Sequence, residues 1–155
     1  MTETIYALAL GSNRRGRHGS PAQTVKAAAR AIHATRLSRI RATPALGPAG
    51  RSFANAAAIL ESELDPLDLL TELKAIERSF GRRAGRRWGP RILDLDIILW
   101  SEGPFEAGGL VIPHPAFRER RFVLAPLAEL VPDWRDPISG RTIRQLLARH
   151  RHPRG

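Results

Sequence analysis

Cysteine is absent, so the chain can form neither a disulfide framework nor a thiolate metal site. This suits a reducing compartment and leads us to expect a cytoplasmic protein. No run of 18 apolar residues occurs, so no membrane-spanning helix is expected. Met1-Thr2-Glu3-Thr4-Ile5 has no basic segment followed by a long apolar stretch, which argues against a secretory signal. There is no Gly-x-x-x-x-Gly-Lys-Ser/Thr element, no protein-kinase glycine-rich loop and no His-Arg-Asp segment. P-loop and protein-kinase chemistry are thereby excluded. His18, His33, His114, His150 and His152 show no zinc-ligand spacing. Lysine is nearly missing too: Lys26 and Lys74 are the only two.

What remains is arginine. The formal charge is +10, carried almost wholly by guanidinium groups. Their planar fork fits phosphate and carboxylate oxygens, so a polyanionic partner follows: a nucleotide, a nucleic acid or a membrane surface. A solvated arginine-rich surface has the same composition. With 155 residues and an apolar share of 43%, the chain fits one domain, residues 1–155, with one core.

Thr4 to Leu10 reads as a buried strand ending in the turn Gly11-Ser12-Asn13. Gly16 and Gly19 extend a polar loop. Ser20-Pro21-Ala22-Gln23 is a helix start, with Ser20 as N-cap, Pro21 in the first helical position and Gln23 closing a capping box. That helix is predicted to run to about Thr35. Leu37 to Thr43 is predicted as one strand, and Thr43 to Gly50 as a loop. Phe53 to Leu64 is ambiguous; its alanines favour helix by propensity, though a long strand also fits. Asp65-Pro66-Leu67-Asp68 starts a second helix, which Gly81 stops. An arginine- and glycine-rich loop, Arg82 to Arg91, leads into a strand from Ile92 to Trp100. Arg118 to Leu130 carries one or two short helices, and Thr142 to Arg149 a last one.

The strand Ile92 to Trp100 is the most informative segment. Alternation puts Asp94 and Asp96 on one face, and Leu93, Leu95, Ile97 and Leu99 on the other. Their backbones lie roughly 6–7 Å apart, and at an effective dielectric of about 20 the two charges repel by on the order of 2–3 kcal/mol. A bound cation offsets that cost. Carboxylate oxygens without any thiolate suit Mg²⁺, which takes one or two protein carboxylates and completes its shell with water and phosphates. A solvated strand with two exposed acids has the same pattern. The five arginines just upstream favour the first reading, because cations on a glycine-bearing loop beside paired acids match the electrostatics of phosphoryl transfer.

The run Arg87-Trp88-Gly89-Pro90-Arg91-Ile92-Leu93-Asp94-Leu95-Asp96-Ile97-Ile98 closely resembles the central motif of the 6-hydroxymethyl-7,8-dihydropterin pyrophosphokinases. Leu10-Gly11-Ser12-Asn13, Thr43 to Pro48, Phe53 to Ala57, Pro113-His114 and Arg120 to Leu127 are similar to further elements of that family, in the same order. The basic Arg14 to Gly19 insert departs from its pattern. The resemblance implies an α+β fold, a ferredoxin-like antiparallel sheet with helices packed on it, and hence a strand from Phe53. It implies transfer of pyrophosphate from Mg·ATP to the pterin hydroxymethyl group in folate biosynthesis, with ATP as co-substrate and two Mg²⁺ ions held by Asp94 and Asp96. By the same resemblance, Arg82 and Arg91 act on the phosphates as catalytic cations, and Glu77, Trp88, His114 and Arg120 bind ATP. Phe53 and Phe122 sandwich the pterin ring, Asn55 hydrogen-bonds its edge, and Thr43 and Leu46 contribute backbone groups. A monomer with neither a nucleic-acid nor a membrane partner is implied. The alternative is a basic ferredoxin-like RNA-binding domain; such domains usually expose several aromatics on a sheet, and one tyrosine with five phenylalanines is a thin supply.

Overall fold

A computed structural model of the chain describes residues 2–43, 53–81 and 92–150. In chain order these form β1 (Thr4–Ser12), α1 (Pro21–Ala31), β2 (Arg36–Leu37), β3 (Arg41–Thr43), β4 (Phe53–Ser62), α2 (Pro66–Ser79), β5 (Asp94–Trp100), β6 (Phe105–Ala107), β7 (Leu110–Ile112), a 3-10 turn (Phe117–Glu119), α3 (Arg121–Leu130) and α4 (Ile143–Ala148). The main sheet is antiparallel, in the order β2-β4-β1-β5, with β3 also on β4. Its first part follows a β-α-β-β-α-β path, the split arrangement of ferredoxin-like folds.

Two apolar layers flank this sheet. On one face Tyr6, Leu8, Leu10, Ala54, Ala56, Ala58, Leu93 and Leu95 meet Val25 and Ala28 of α1 and Leu69 and Leu73 of α2. On the other, Ala7, Ala57, Ile59 and Ile98 meet Val123, Leu124 and Leu127 of α3 and Ile143 and Leu146 of α4. Sandwiching between helices explains why the alanine-rich Phe53–Ser62 is a strand. As a central strand, β4 pairs on both sides, and its small side chains let helices approach from both faces. Tertiary burial outweighs intrinsic propensity here.

The predicted helix starts are present. The Ser20 hydroxyl accepts from Gln23 N–H, and the Gln23 side chain accepts from Ser20 N–H. Asp65 caps α2 through Asp68 N–H. Three expectations need correction. The first helix ends at Ala31, not near Thr35, because His33 adopts a left-handed φ of 58° that turns the chain away. The strand expected over Leu37–Thr43 is split into β2 and β3. Between them the Ser38 hydroxyl accepts from Ala57 N–H and takes the place of a ladder bond. Leu99 faces the α3 layer with Ile98, not the layer holding Leu93, Leu95 and Ile97. The cause is a bulge: Leu8 pairs with Ile97 but Ala7 with Leu99, so one extra residue inverts the alternation.

Candidate active site

The α3 layer does not cover the whole sheet. Near the start of α3 it leaves a cleft of about 670 Å³ whose floor is the sheet itself. Two rows of paired residues cross that floor. Asn55, Gly11 and Asp94 are in register across β4, β1 and β5, and Ala57, Ala9 and Asp96 form the next row. The smallest residues occupy the middle strand. A Cβ on Gly11 would lie 3.1 Å from Asn55 Oδ1, so glycine lets the amide lie across the backbone towards Asp94. Period-two alternation thus places Phe53, Asn55, Asp94 and Asp96 on one face, as their spacing predicts, and all four line the cleft.

The walls come from farther along the chain. Arg120, Phe122 and Val123 sit at the entry to α3, and His114 lies on the segment after β7. Phe53 and Phe122 are 45% and 52% exposed, although both are large and apolar. Exposed aromatics sharing one concavity mark a binding surface for a flat apolar group. The Arg120 guanidinium lies 5.8 Å from the centre of the Phe122 ring.

His114 is fixed at both ends. Its N–H donates to Ile98 O at 3.0 Å. Its Nδ1 accepts from Ala116 N–H at 3.1 Å. The neutral ring therefore carries its proton on Nε2. Burial lowers the imidazole pKa below its ordinary value; the Asp96 charge opposes this and Arg120 adds to it.

Glu77, on α2, is not among the residues lining the cleft. It is 6% exposed, and its Oε2 accepts from Leu95 N–H at 2.7 Å. Lys74 Nζ lies 3.6 Å from the other oxygen. Glu77 thus grips the β5 backbone between the two aspartates. Thr43 pairs with Phe53 at the end of β3, which sets its backbone beside the cleft. Leu46, Arg82, Trp88 and Arg91 lie outside the described residues. Sequence reasoning missed Ala9, Ser12 and Ile98, which line the cleft because the strands carrying them do, and Asn13 just after β1; their residue types give no chemical signal.

The donor set fits Mg²⁺. Asp94 and Asp96 offer hard oxygen ligands on the floor, and among the described residues no group of three or more His, Asp or Glu is gathered as a zinc site needs.

Comparison with known proteins shows the family and the fold. A family model described as 7,8-dihydro-6-hydroxymethylpterin-pyrophosphokinase matches residues 7–132. A 2-amino-4-hydroxy-6-hydroxymethyldihydropteridine pyrophosphokinase from Synechocystis sp. is 48% identical over 103 residues, 66% of this chain and 53% of the relative. The protein of that name from Pseudomonas aeruginosa is 43% identical over 155 residues, 96% of this chain and 92% of the relative. Among solved structures, an HPPK-DHPS in complex with substrates superposes with a TM-score of 0.75 at 11% identity. That match covers 97% of this chain but 45% of the other, and shows a shared fold. By the family model and the Pseudomonas aeruginosa relative, the chain belongs to the 7,8-dihydro-6-hydroxymethylpterin-pyrophosphokinase family.

Proposed function

We infer that the cleft between the sheet and the start of α3 is where this chain carries out its family's reaction. The chain is a diphosphotransferase of folate biosynthesis that pyrophosphorylates a pterin with ATP. Membership of an enzyme family sets aside the RNA-binding alternative. The observation that carries the site assignment is the joint placement of two half-exposed phenylalanines and two carboxylates in one concavity.

In this reading the pterin ring stacks between Phe53 and Phe122, a contact worth about 0.5–1.5 kcal/mol beyond its buried area. Asn55 hydrogen-bonds the ring edge, helped by backbone groups at Thr43 and Leu46. The hydroxymethyl group then points along the floor towards Asp94 and Asp96. Its oxygen attacks the β-phosphorus of ATP, the bond from that phosphorus to the oxygen bridging it to the α-phosphate breaks, AMP leaves with that oxygen, and the hydroxyl proton is released to solvent. Asp94 and Asp96 would hold two Mg²⁺ ions, which when bound would neutralise phosphate charge and favour the oxygen as nucleophile. His114 donates from Nε2 to a phosphate oxygen, and Arg120 adds a fixed cation. Arg82 and Arg91 stabilise charge on the phosphates, and Trp88 covers the nucleotide. Glu77 acts through the β5 backbone.

The test is incubation with Mg·ATP and 6-hydroxymethyl-7,8-dihydropterin, followed by phosphorus NMR. AMP and a pterin diphosphate are expected. Formation of ADP and a monophosphate would show that attack falls on the γ-phosphorus instead.

A further inference from the structure

The arginines of the Arg14–Gly19 segment take no part in the chemistry above, yet the segment is held firmly at the mouth of the cleft. Strand β1 carries Leu10, Gly11 and Ser12 along the cleft floor, and Asn13 lines its edge before the chain enters the segment. Gly11 is paired with Asp94, so the segment leaves the sheet beside the end of β5 that bears the acid pair. Gly16 and Gly19 exchange backbone hydrogen bonds of 3.0 Å in each direction, closing a tight hairpin. The His18 ring rests on Phe80, with centroids 4.3 Å apart. Gly16 sits so close to Ile92 that a Cβ there would approach Ile92 Cγ2 to 2.8 Å. Ile92 lies two residues before Asp94.

This hairpin presents Arg14, Arg15 and Arg17, with Arg15 and Arg17 exposed and Arg14 half-buried. Three other arginines are ion-paired: Arg41 to Glu129, Arg118 to Asp136 and Arg144 to Asp133. Among the described residues, the three hairpin guanidinium groups make no ion pair and no side-chain hydrogen bond. They are free cations on a braced scaffold, next to a cleft whose floor is anionic. A polyphosphate approaching Asp94 and Asp96 meets repulsion from those carboxylates unless positive charge guides it in.

We propose that the Arg14–Gly19 hairpin is a cationic arm at the cleft mouth that captures the polyphosphate of a nucleoside triphosphate and steers it towards Asp94 and Asp96. The inference rests on the reading of this cleft as the nucleotide site. The arm acts mainly on association, through long-range charge and transient guanidinium–phosphate forks.

The test compares the full chain with its R14Q/R15Q/R17Q variant, titrating Mg·ATP and, separately, the uncharged pterin alcohol by calorimetry across a salt series. At low salt the variant is expected to bind Mg·ATP about tenfold more weakly, with a shallower dependence on salt. The two proteins should converge near about 0.5 M salt, where charges are screened within a few ångströms. Pterin affinity should be unmoved, and R14K/R15K/R17K should recover most of the loss. Equal affinity and salt dependence for Mg·ATP in wild type and the glutamine variant would overturn the arm alone. So would a parallel loss of pterin affinity, which marks a structural role. A wild-type chain that bound no Mg·ATP would sink the nucleotide site and the arm together.

Discussion

The two aspartates are the residues whose loss should matter most. Asp94→Asn and Asp96→Asn keep side-chain volume and remove the charge that attracts the cation. Each should lower turnover by about a thousandfold or more if the carboxylates hold Mg²⁺ against developing charge, while circular dichroism stays native. Turnover within tenfold of wild type in either variant would remove the metal assignment. Phe122→Ala should raise KM for the pterin by about tenfold, on the scale of a lost stacking contact, and leave KM for ATP nearly unchanged. Glu77 calls for a different measurement. Its carboxylate accepts from the buried Leu95 N–H, so Glu77→Ala strands a donor inside the protein. The expected cost is about 1–3 kcal/mol of stability, read from urea unfolding. Because Leu95 lies between the two acids, Mg²⁺ affinity measured by calorimetry should fall as well. The sequence marked Glu77 but could not say on which side of the sheet it lies; that depends on how α2 packs against β5.

At the scale of elements, local rules and tertiary burial divide the chain between them. The start of α1 is set locally by reciprocal hydrogen bonds between Ser20 and Gln23. Ser20→Ala should cost about 1 kcal/mol, visible as a lower urea midpoint with unchanged slope. An unchanged midpoint would mean the cap adds nothing beyond what packing supplies. The end of α1 was not legible, because the turn at His33 serves the approach of β2 to β4. Nor was the bulge in β5 legible, since it arises from pairing with β1 and leaves no trace in residue types. The bulge has a functional side. Asp94 and Asp96 keep strict alternation ahead of it, while Ile98 and Leu99 both turn towards α3 behind it. One strand thereby presents acids to the cleft and still closes the core.

At the scale of the whole molecule, a buried ion pair ties the C-terminal segment to the rest. Asp136 is 0% exposed and accepts from Arg118 Nε at 2.5 Å and Arg118 Nη2 at 2.8 Å. Ser139 Oγ–H and Ile138 N–H also donate to it. Burial pushes the carboxyl upwards. The hydrogen bonds from Arg118, Ser139 and Ile138, with the Arg118 charge, outweigh burial and bring it down to about 2. The folded state therefore binds the proton less readily than the unfolded chain, whose aspartate titrates at about 3.9. The pair contributes its full stability above that value and loses it as pH falls towards 2. Urea midpoints measured from pH 6 downwards should decline below about pH 4. In Asp136→Asn the protein should be less stable at neutral pH and show a flatter acid limb. A variant with the wild-type acid limb would show that other carboxylates govern it.

What the sequence determined by itself was the chemistry and its local frame. Cysteine-free composition, the Asp94-x-Asp96 pair on a strand, the caps at Ser20 and Asp65 and the family motif around them all depend on neighbours in the chain. Only the tertiary structure decided that an alanine-rich stretch is a central strand. It alone showed that Glu77 reaches the Leu95 N–H of β5 and that the hairpin after β1 leans on Ile92. Each of these depends on which surfaces are buried against each other, a property of the packed layers that no short window of residues contains.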